Sequence, residues 1–196
     1  MAVTVIATAG ASNANSFLTV AEMEDIALAH TSAQYEAWAD AEDQGALVVM
    51  ASRMMSAYFS GRKMLAHGRD AFTRIFPAWT GTPATTTQRL PWPRAGMFDM
   101  NGNALADNAI PEDLKLAVAE LVLTLASGGD TGGDNDAAAG GISSVKAGSV
   151  SVAFRADMML TSKPLPDAVL LYLVPSWYTD EEITGVRDFD FGSVLP

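Results

Sequence analysis

Apolar residues recur at the spacing of an α-helix in the first third of the chain. Thr19 stands where an N-cap belongs and Glu22 follows three residues later, which is the pattern of a capping box. We therefore predict a first helix over residues 20–30. A second helix is predicted from about residue 42 and is ended by Gly61. Its apolar stripe has helical spacing: Leu47, Met50, Ala51, Met54, Met55, Tyr58 and Phe59.

Two further helices are indicated in the second half of the chain. Pro111 suits the first helical position, and two acidic residues follow it, where they complement the helix dipole. Gly128 ends this helix. Its predicted buried positions recur every three or four residues: Leu114, Ala117, Val118, Leu121, Val122 and Leu125. A short apolar helix begins at Pro166 and closes at Pro175.

The segments between these helices have other patterns. Residues 62–87 are basic and aromatic at first and then rich in Thr, Gly and Pro, which predicts an inserted loop with a short helical turn at its start. Residues 128–141 have the low-complexity composition of a flexible linker. Alternating apolar residues over 142–154 predict a β-hairpin. Residues 176–196 are acidic with interspersed aromatics, which is typical of an arm that binds another chain.

These elements predict a mainly α fold: a small helical bundle with a minor β-hairpin and an extended C-terminal arm. The bundle is expected to occupy residues 1–127, interrupted by the insertion over about 62–87. After the linker, residues 142–175 are expected to pack the hairpin and the short helix back on the bundle or on a neighbouring copy, because two strands alone are marginally stable. Residues 176–196 form the arm.

Composition and charge restrict the function. The chain has 196 residues, of which 49% are hydrophobic, so it can bury a core. It has no cysteine, which excludes disulfides and thiol chemistry. The net charge of −11 disfavours nucleic-acid binding, unless the few cations are gathered on one face. Without a bilayer-length apolar run or a secretory leader, we expect a soluble intracellular protein with no membrane partner.

No constellation of catalytic residues is evident. His30 and His67 stand outside any metal or triad spacing, and His30 is interpreted as a partner of the first helix's C-terminal end. Residues 130–136 are rich in aspartate but lack the ligand order of a calcium loop. The methionines at helical spacing are interpreted as core residues. We therefore expect no enzymatic activity, no cofactor and no metal site.

The most distinctive stretch is TQRLPWPRAG, residues 87–96, which places Trp92 between two prolines and two arginines. The prolines fix the backbone on both sides of the indole. Three interpretations follow: a core tryptophan whose arginines pair with nearby carboxylates, a contact with another protein chain, or base stacking on Trp92 with Arg89 and Arg94 on phosphate. The candidate interface or structural residues come from this stretch and from the tail: Gln88, Arg89, Trp92, Pro93, Arg94, Trp177, Tyr178, Phe189 and Phe191.

Three motifs occur in a fixed order: Ala14 to Phe17, Gln88 to Gly96, and Ile110-Pro111. In this order they resemble the pattern of a family of tailed-bacteriophage head-to-tail adaptor proteins, some of whose members are labelled DnaT-like single-stranded DNA-binding. The resemblance covers about residues 10–175. Two features depart from it: the segment 62–87 is longer than the pattern, and the tail after residue 175 has no counterpart in it.

The resemblance implies a structural role. A ring of about twelve copies would lie below the portal protein of a filled capsid, in the virion neck, after assembly in the host cytoplasm. It would extend the DNA channel and hold the next neck or tail component, and double-stranded DNA would pass its lumen without specific binding. The alternative is a single-stranded DNA-binding module that uses Trp92 with its flanking arginines.

Overall fold

The computed structural model describes residues 3–65, 73–128, 144–147, 150–153, 165–179 and 182–184. The α-helices in these ranges are α1 Val20–Ala27, α2 Ser32–Ala39, α3 Gln44–Tyr58, α4 Glu112–Ala126 and α5 Asp167–Leu170, and a 3-10 helix spans Pro175–Trp177. The strands are β1 Lys63–Leu65, β2 Thr73–Ile75, β3 Thr82–Pro83, β4 Arg94–Ala95, β5 Ser144–Ala147, β6 Val150–Ala153 and β7 Glu182–Thr184. The fold is mainly α with a minor antiparallel β component.

Polar side chains set the first turns of the three N-terminal helices. Thr19 and Glu22 form the predicted capping box at α1, which satisfies backbone N–H groups that have no partner inside the helix. Thr31 caps α2 and Asp43 caps α3 in the same way, through side-chain oxygens. Helix α1 ends at Ala27, earlier than predicted, because the chain turns there towards α2.

Helix α3 buries most of the predicted apolar stripe, with one exception. The methionine at position 50 is 49% exposed, whereas Val48, Val49 and Ser52 are buried beside the expected Ala51 and Met55. The stripe was wrong at Met50 because nearly every position of this helix is apolar, so that helical spacing alone fits more than one face. Contact with α4 decides which face is buried.

Helix α4 is the central helix, since it contacts α1, α2, α3 and α5. Five of its six predicted core positions are buried, and Leu125 packs partly buried against the core. Ala119 and Leu123 are buried as well, so α4 is enclosed on more sides than an amphipathic stripe implies. Pro111 is the N-cap of the helix, and Gly128 follows its end with a φ of +67°, a conformation that favours glycine.

The segment 62–87 differs from the predicted loop, and its start is a strand rather than a helical turn. Strand β2 lies between β1 and β7 in an antiparallel sheet, with Arg74 opposite both Met64 and Ile183. Strand β3 pairs with β4. Strand β2 thus pairs with residues 182–184, and β3 pairs with residues 94–95. Local composition gives no information about pairing between segments so far apart in the chain.

The predicted hairpin is present as strands β5 and β6, which pair antiparallel from Ser144 with Ala153 to Ala147 with Val150. Its two strands pair only with each other among the described residues. The predicted linker lies outside the described residues from residue 129 onwards. In the described ranges, no helix combines the length and the apolar character that crossing a bilayer requires.

Candidate functional site

Trp92 lies in the core. It is 1% exposed, and its ring contacts Trp79 edge-on at a centroid distance of 5.6 Å and Trp177 at 5.1 Å. Phe59, at the end of α3, packs on Trp79 at 4.2 Å. These four residues, which we call the tryptophan cluster, come from separate parts of the chain and bind them together. Trp92 is therefore a core residue, and a base could stack on it only if the core opened.

The prolines and Gln88 hold the backbone around Trp92 in a closed loop. The Trp92–Pro93 peptide bond is cis. The side-chain amide of Gln88 donates hydrogen bonds to the carbonyl oxygens of Leu90, at 2.9 Å, and Pro93, at 3.0 Å. Its Oε1 accepts a hydrogen bond from the backbone N–H of Thr85 at 2.9 Å. Gln88 and Pro93 thus have structural positions in this loop.

Arg94 is a buried backbone partner. The residue is only 8% exposed, and its side chain donates hydrogen bonds to the carbonyl oxygens of Pro91 at 3.0 Å and Gly81 at 2.8 Å. Its Nε donates to the carbonyl oxygen of Thr80. Burial lowers the pKa of Arg94, although a guanidinium remains charged in proteins. Its Nη2 also donates to the carbonyl oxygen of Trp79 at 3.5 Å. The expectation that Arg94 pairs with carboxylates, or binds phosphate, was wrong because these four carbonyls occupy its donors.

The start of the predicted arm is also part of the core. Trp177 is fully buried, and its indole N–H donates to the carbonyl oxygen of Phe98 at 2.7 Å. Tyr178 is partly buried and contacts the ring of Phe59 at 4.9 Å. The prediction of an arm from residue 176 was wrong for these residues, because the aromatics in this acidic segment complete a core formed elsewhere. Phe189 and Phe191 lie outside the described residues.

Arg89, in contrast to Arg94, is exposed and faces a cavity of about 260 Å³. Arg53 from α3 and Arg62 from the segment before β1 line the same cavity, with Asn15 and Ser56. We call it the arginine cavity. The three arginines form no ion pair with any residue in the described ranges, where the recorded pairs involve Lys115 and His30. An acidic chain therefore holds, on one small concave surface, three cations that have no ion-pair partner in the part of the chain that the structure describes.

A larger cavity of about 740 Å³ adjoins the arginine cavity, since Ser56, Arg89 and Leu90 line both. Its walls include Phe59 and Trp79, and we call it the aromatic cavity. The indole N–H of Trp79 is buried without a hydrogen-bond partner among the described residues. A buried donor of this kind is costly to leave unpaired.

The sequence analysis missed this cavity pair. It identified Arg89, but Asn15, Arg53 and Arg62 are far from the distinctive motif in the chain. One signal in the sequence points to them. Because the chain is acidic, it could bind nucleic acid only if its few cations were gathered on one face. Which of the arginines meet can only be read from the fold.

His30 takes part in a network at the end of α1. Its Nδ1 lies 2.9 Å from the carbonyl oxygen of Ile26, and its Nε2 lies 2.7 Å from Oε1 of Glu120. Burial alone would lower the pKa of His30, but the hydrogen bonds to Glu120 and Ile26 and the charge of Glu120 raise it overall above its ordinary value. Tyr172 donates to the same carboxylate oxygen at 3.3 Å. The network joins α1, α4 and the turn after α5.

Within the described ranges, no three His, Cys, Asp or Glu side chains are grouped so that they could hold a metal ion. His67 and residues 130–136 lie outside those ranges. The chemistry available at the cavity pair is thus electrostatic and hydrogen-bonding: guanidinium groups for an oxyanion, with an aromatic wall beside them.

The described geometry defines a mainly α protein with small antiparallel sheets and an arginine-lined cavity. Residues 63–181 match the family described as "Putative DnaT-like ssDNA binding protein". The match covers more than half of the chain, and the chain belongs to this family. No curated protein and no solved structure matches it.

Proposed function

We propose that this protein is a structural head-to-tail adaptor of a tailed bacteriophage. In this proposal its helices act as a small bundle that assembles into a ring below the portal protein, extends the DNA channel and holds the next neck or tail component. The ordered motifs at residues 14–17, 88–96 and 110–111 support it. Its role is structural, and it needs neither a catalytic group nor a cofactor.

The observation that carries the proposal is a rigid turn with two exposed apolar side chains. Phe98 is 51% exposed and Met100 is 72% exposed. Between them, the carboxylate of Asp99 accepts hydrogen bonds from the backbone N–H groups of Asn101 and Asn103, each at 2.8 Å. The side-chain amide of Asn103 also donates to it at 2.9 Å, and these bonds lower the pKa of Asp99.

This turn, residues 98–104, is fixed to the core, because the carbonyl oxygen of Phe98 accepts the hydrogen bond from Trp177. A preorganised apolar projection loses little conformational entropy on binding, and such projections are typical of contacts between protein chains. The edges of the β5–β6 hairpin, which pair with no other strand among the described residues, offer a second surface onto which a neighbouring copy could add a strand.

The net charge suits a channel for DNA. With −11 on each copy, a closed ring carries a large negative charge spread over its lumen and its exterior, and a negative lumen would let duplex DNA pass without binding. In this proposal the lumen repels DNA, whereas the turn on the portal-facing surface makes apolar contacts with protein.

The test is the particle mass of the purified chain, alone and after mixing with its portal protein. We expect a ring-sized complex on the portal. Replacing Phe98 and Met100 together by serine should prevent that complex while the chain stays folded. The matched control is Leu28→Ser, which removes another exposed apolar side chain, 61% exposed at the end of α1. A wild-type chain that ignores the portal, or a turn variant that assembles as the control does, contradicts the proposal.

A second candidate function is single-stranded DNA binding, which the family description and the arginine cavity favour. The sequence motif assigns strand binding to Trp92, Arg89 and Arg94, but only Arg89 of these is exposed. A gel-shift titration at two salt concentrations separates it from the adaptor. Strand binding should be micromolar or tighter and should weaken as salt rises.

A further inference from the structure

The arginine cavity and the aromatic cavity adjoin each other, and we call the two together the concavity, which has two chemically different ends. Ser56, Arg89 and Leu90 lie at the junction, since they line both. Arg53 and Arg62 provide further cations at the smaller end, and Trp79 stands in the wall of the larger end. A ligand that fits both ends needs an anionic group beside a flat, largely apolar group that has hydrogen-bond acceptors.

We propose that this concavity binds one nucleotide unit of single-stranded nucleic acid, with the phosphate on Arg53, Arg62 and Arg89 and the base in the aromatic cavity. The inference rests on the second candidate function and assigns it a site. The proposed site consists of residues that line an open surface, whereas Trp92 and Arg94 are buried.

The charge of the arginines supports a phosphate at the smaller end. Three guanidinium groups without carboxylate partners in the described ranges repel one another, and a bound oxyanion relieves that repulsion. Guanidinium is also the side chain whose planar donors match the oxygens of a phosphate in pairs. A cavity of about 260 Å³ has room for a phosphate group with its ester oxygens.

The wall of the larger end supports a base. Its volume of about 740 Å³ lies in the range of small-molecule sites in general. Thr85 and Thr86 are exposed on the rim, where their hydroxyl groups can hydrogen-bond the edge of a base. The aromatic rings themselves are packed on one another, so the base is held by hydrogen bonds to its edge and by contact with the apolar parts of the wall.

The shape favours a single strand over a duplex. A base can enter a concave site only when it is unpaired and unstacked, because in a duplex the phosphates lie outside and the bases inside. Three cations are also too few to hold a duplex against a chain of net charge −11, whereas they suffice to fix one or two phosphates of a flexible strand.

The experiment is a titration of fluorescein-labelled oligothymidylate, about 12 nucleotides long, with the whole chain at low and at high salt, followed by anisotropy. Arg53→Gln, Arg62→Gln and Arg89→Gln are compared one at a time with Lys115→Gln. Lys115 is a matched control because its removal takes away one positive charge outside the concavity, on α4 beside Glu22. We expect each arginine variant to weaken binding about tenfold and Lys115→Gln to change it less than about twofold.

A second arm replaces the oligonucleotide by an abasic strand of equal length, which keeps the phosphates and lacks the bases. We expect it to bind at least about tenfold more weakly, because it cannot make the contacts of a base with the threonine hydroxyls and the apolar walls of the aromatic cavity. Equal binding of both strands would remove the base from the proposal. A third arm adds polyglutamate as competitor, and if it displaces the strand at equal charge concentration, the site takes protein carboxylates instead of nucleotides.

The outcomes separate the site from the function. If the wild-type chain binds the strand and the arginine variants bind it as well as Lys115→Gln does, the site is wrong while strand binding stands. If the wild-type chain fails to bind at low salt, both the site and the second candidate function are overturned. Unfolding curves of each variant ensure that a loss of binding reflects the lost guanidinium rather than a lost fold.

Discussion

The two arginines of the motif at residues 87–96 should differ sharply in their contribution to stability. Arg94 is buried and donates to four backbone carbonyls, whereas Arg89 is exposed and makes no side-chain hydrogen bond within the described ranges. We therefore compare Arg94→Met with Arg89→Met. Methionine keeps much of the length of the side chain and removes the donors and the charge in both cases.

The magnitude follows from the three short hydrogen bonds that Arg94→Met removes, to the carbonyls of Pro91, Thr80 and Gly81. A fourth, to the carbonyl of Trp79, is long at 3.5 Å and adds little. Each hydrogen bond contributes about 1–1.5 kcal/mol net, which gives about 3–4.5 kcal/mol for three. Burial of the charge offsets part of this, as the lowered pKa of Arg94 indicates. We expect a net loss of about 2–4 kcal/mol, which in a chain of this size lowers the Tm by roughly 4–16 °C. Arg89→Met should change the free energy of unfolding by less than about 0.5 kcal/mol.

The assay is urea unfolding followed by tryptophan fluorescence, which reports on the tryptophan cluster itself. Wild type and both variants are measured at the same pH and salt. The slopes of the free energy of unfolding against urea concentration are compared, because equal slopes allow a change in midpoint to be read as a change in stability. The reasoning is refuted if Arg94→Met unfolds within about 1 kcal/mol of wild type, or if Arg89→Met costs as much as Arg94→Met.

Three further predictions concern polar groups around the helices. The raised pKa of His30 means that its contribution to stability is complete below its ordinary value of 6.5 and is lost as pH rises through the folded-state pKa. His30→Gln, which loses the charged pairing with Glu120, should therefore cost more at about pH 5.5 than at about pH 8.5 in urea unfolding, and an equal cost at both would contradict this. Ser52→Ala should destabilise by about 1–3 kcal/mol because it orphans the buried N–H of Phe17, and a loss below about 0.5 kcal/mol would show that another acceptor replaces the hydroxyl. Thr19→Ala should cost about 1 kcal/mol by removing the cap of α1, whereas Thr19→Ser, which keeps the oxygen, should be close to neutral in the same assay.

The sequence was informative where the cause of a structure is local. The capping box of α1 and the position of Pro111 before α4 could be read directly, because a helix terminus is decided by residues three or four positions apart. The pairing of β5 with β6 was also readable, since the two strands are adjacent in the chain. Each of these features depends on neighbours that the sequence places side by side.

Features that depend on distant residues could not be predicted. Met50 was expected in the core, but the packing of α3 on α4 leaves it at the surface. Arg94 was expected to meet carboxylates, and nothing in its local sequence shows that carbonyls near residue 80 approach it instead. The acidic composition around Trp177 suggested an arm, and composition cannot show that an indole from this segment fits the core beside Trp92. In each case tertiary contact overrode the local signal.

The position of Trp177 in the chain has a consequence for biosynthesis. Trp92 leaves the ribosome long before Trp177 does, because synthesis runs from the N-terminus to the C-terminus. Until Trp177 is translated, the nascent chain carries an indole whose later neighbour does not yet exist. The core around Trp92 is therefore completed only after Trp177 has been translated, and until then the risk of aggregation falls on the growing polypeptide, at the stage when chaperones meet it.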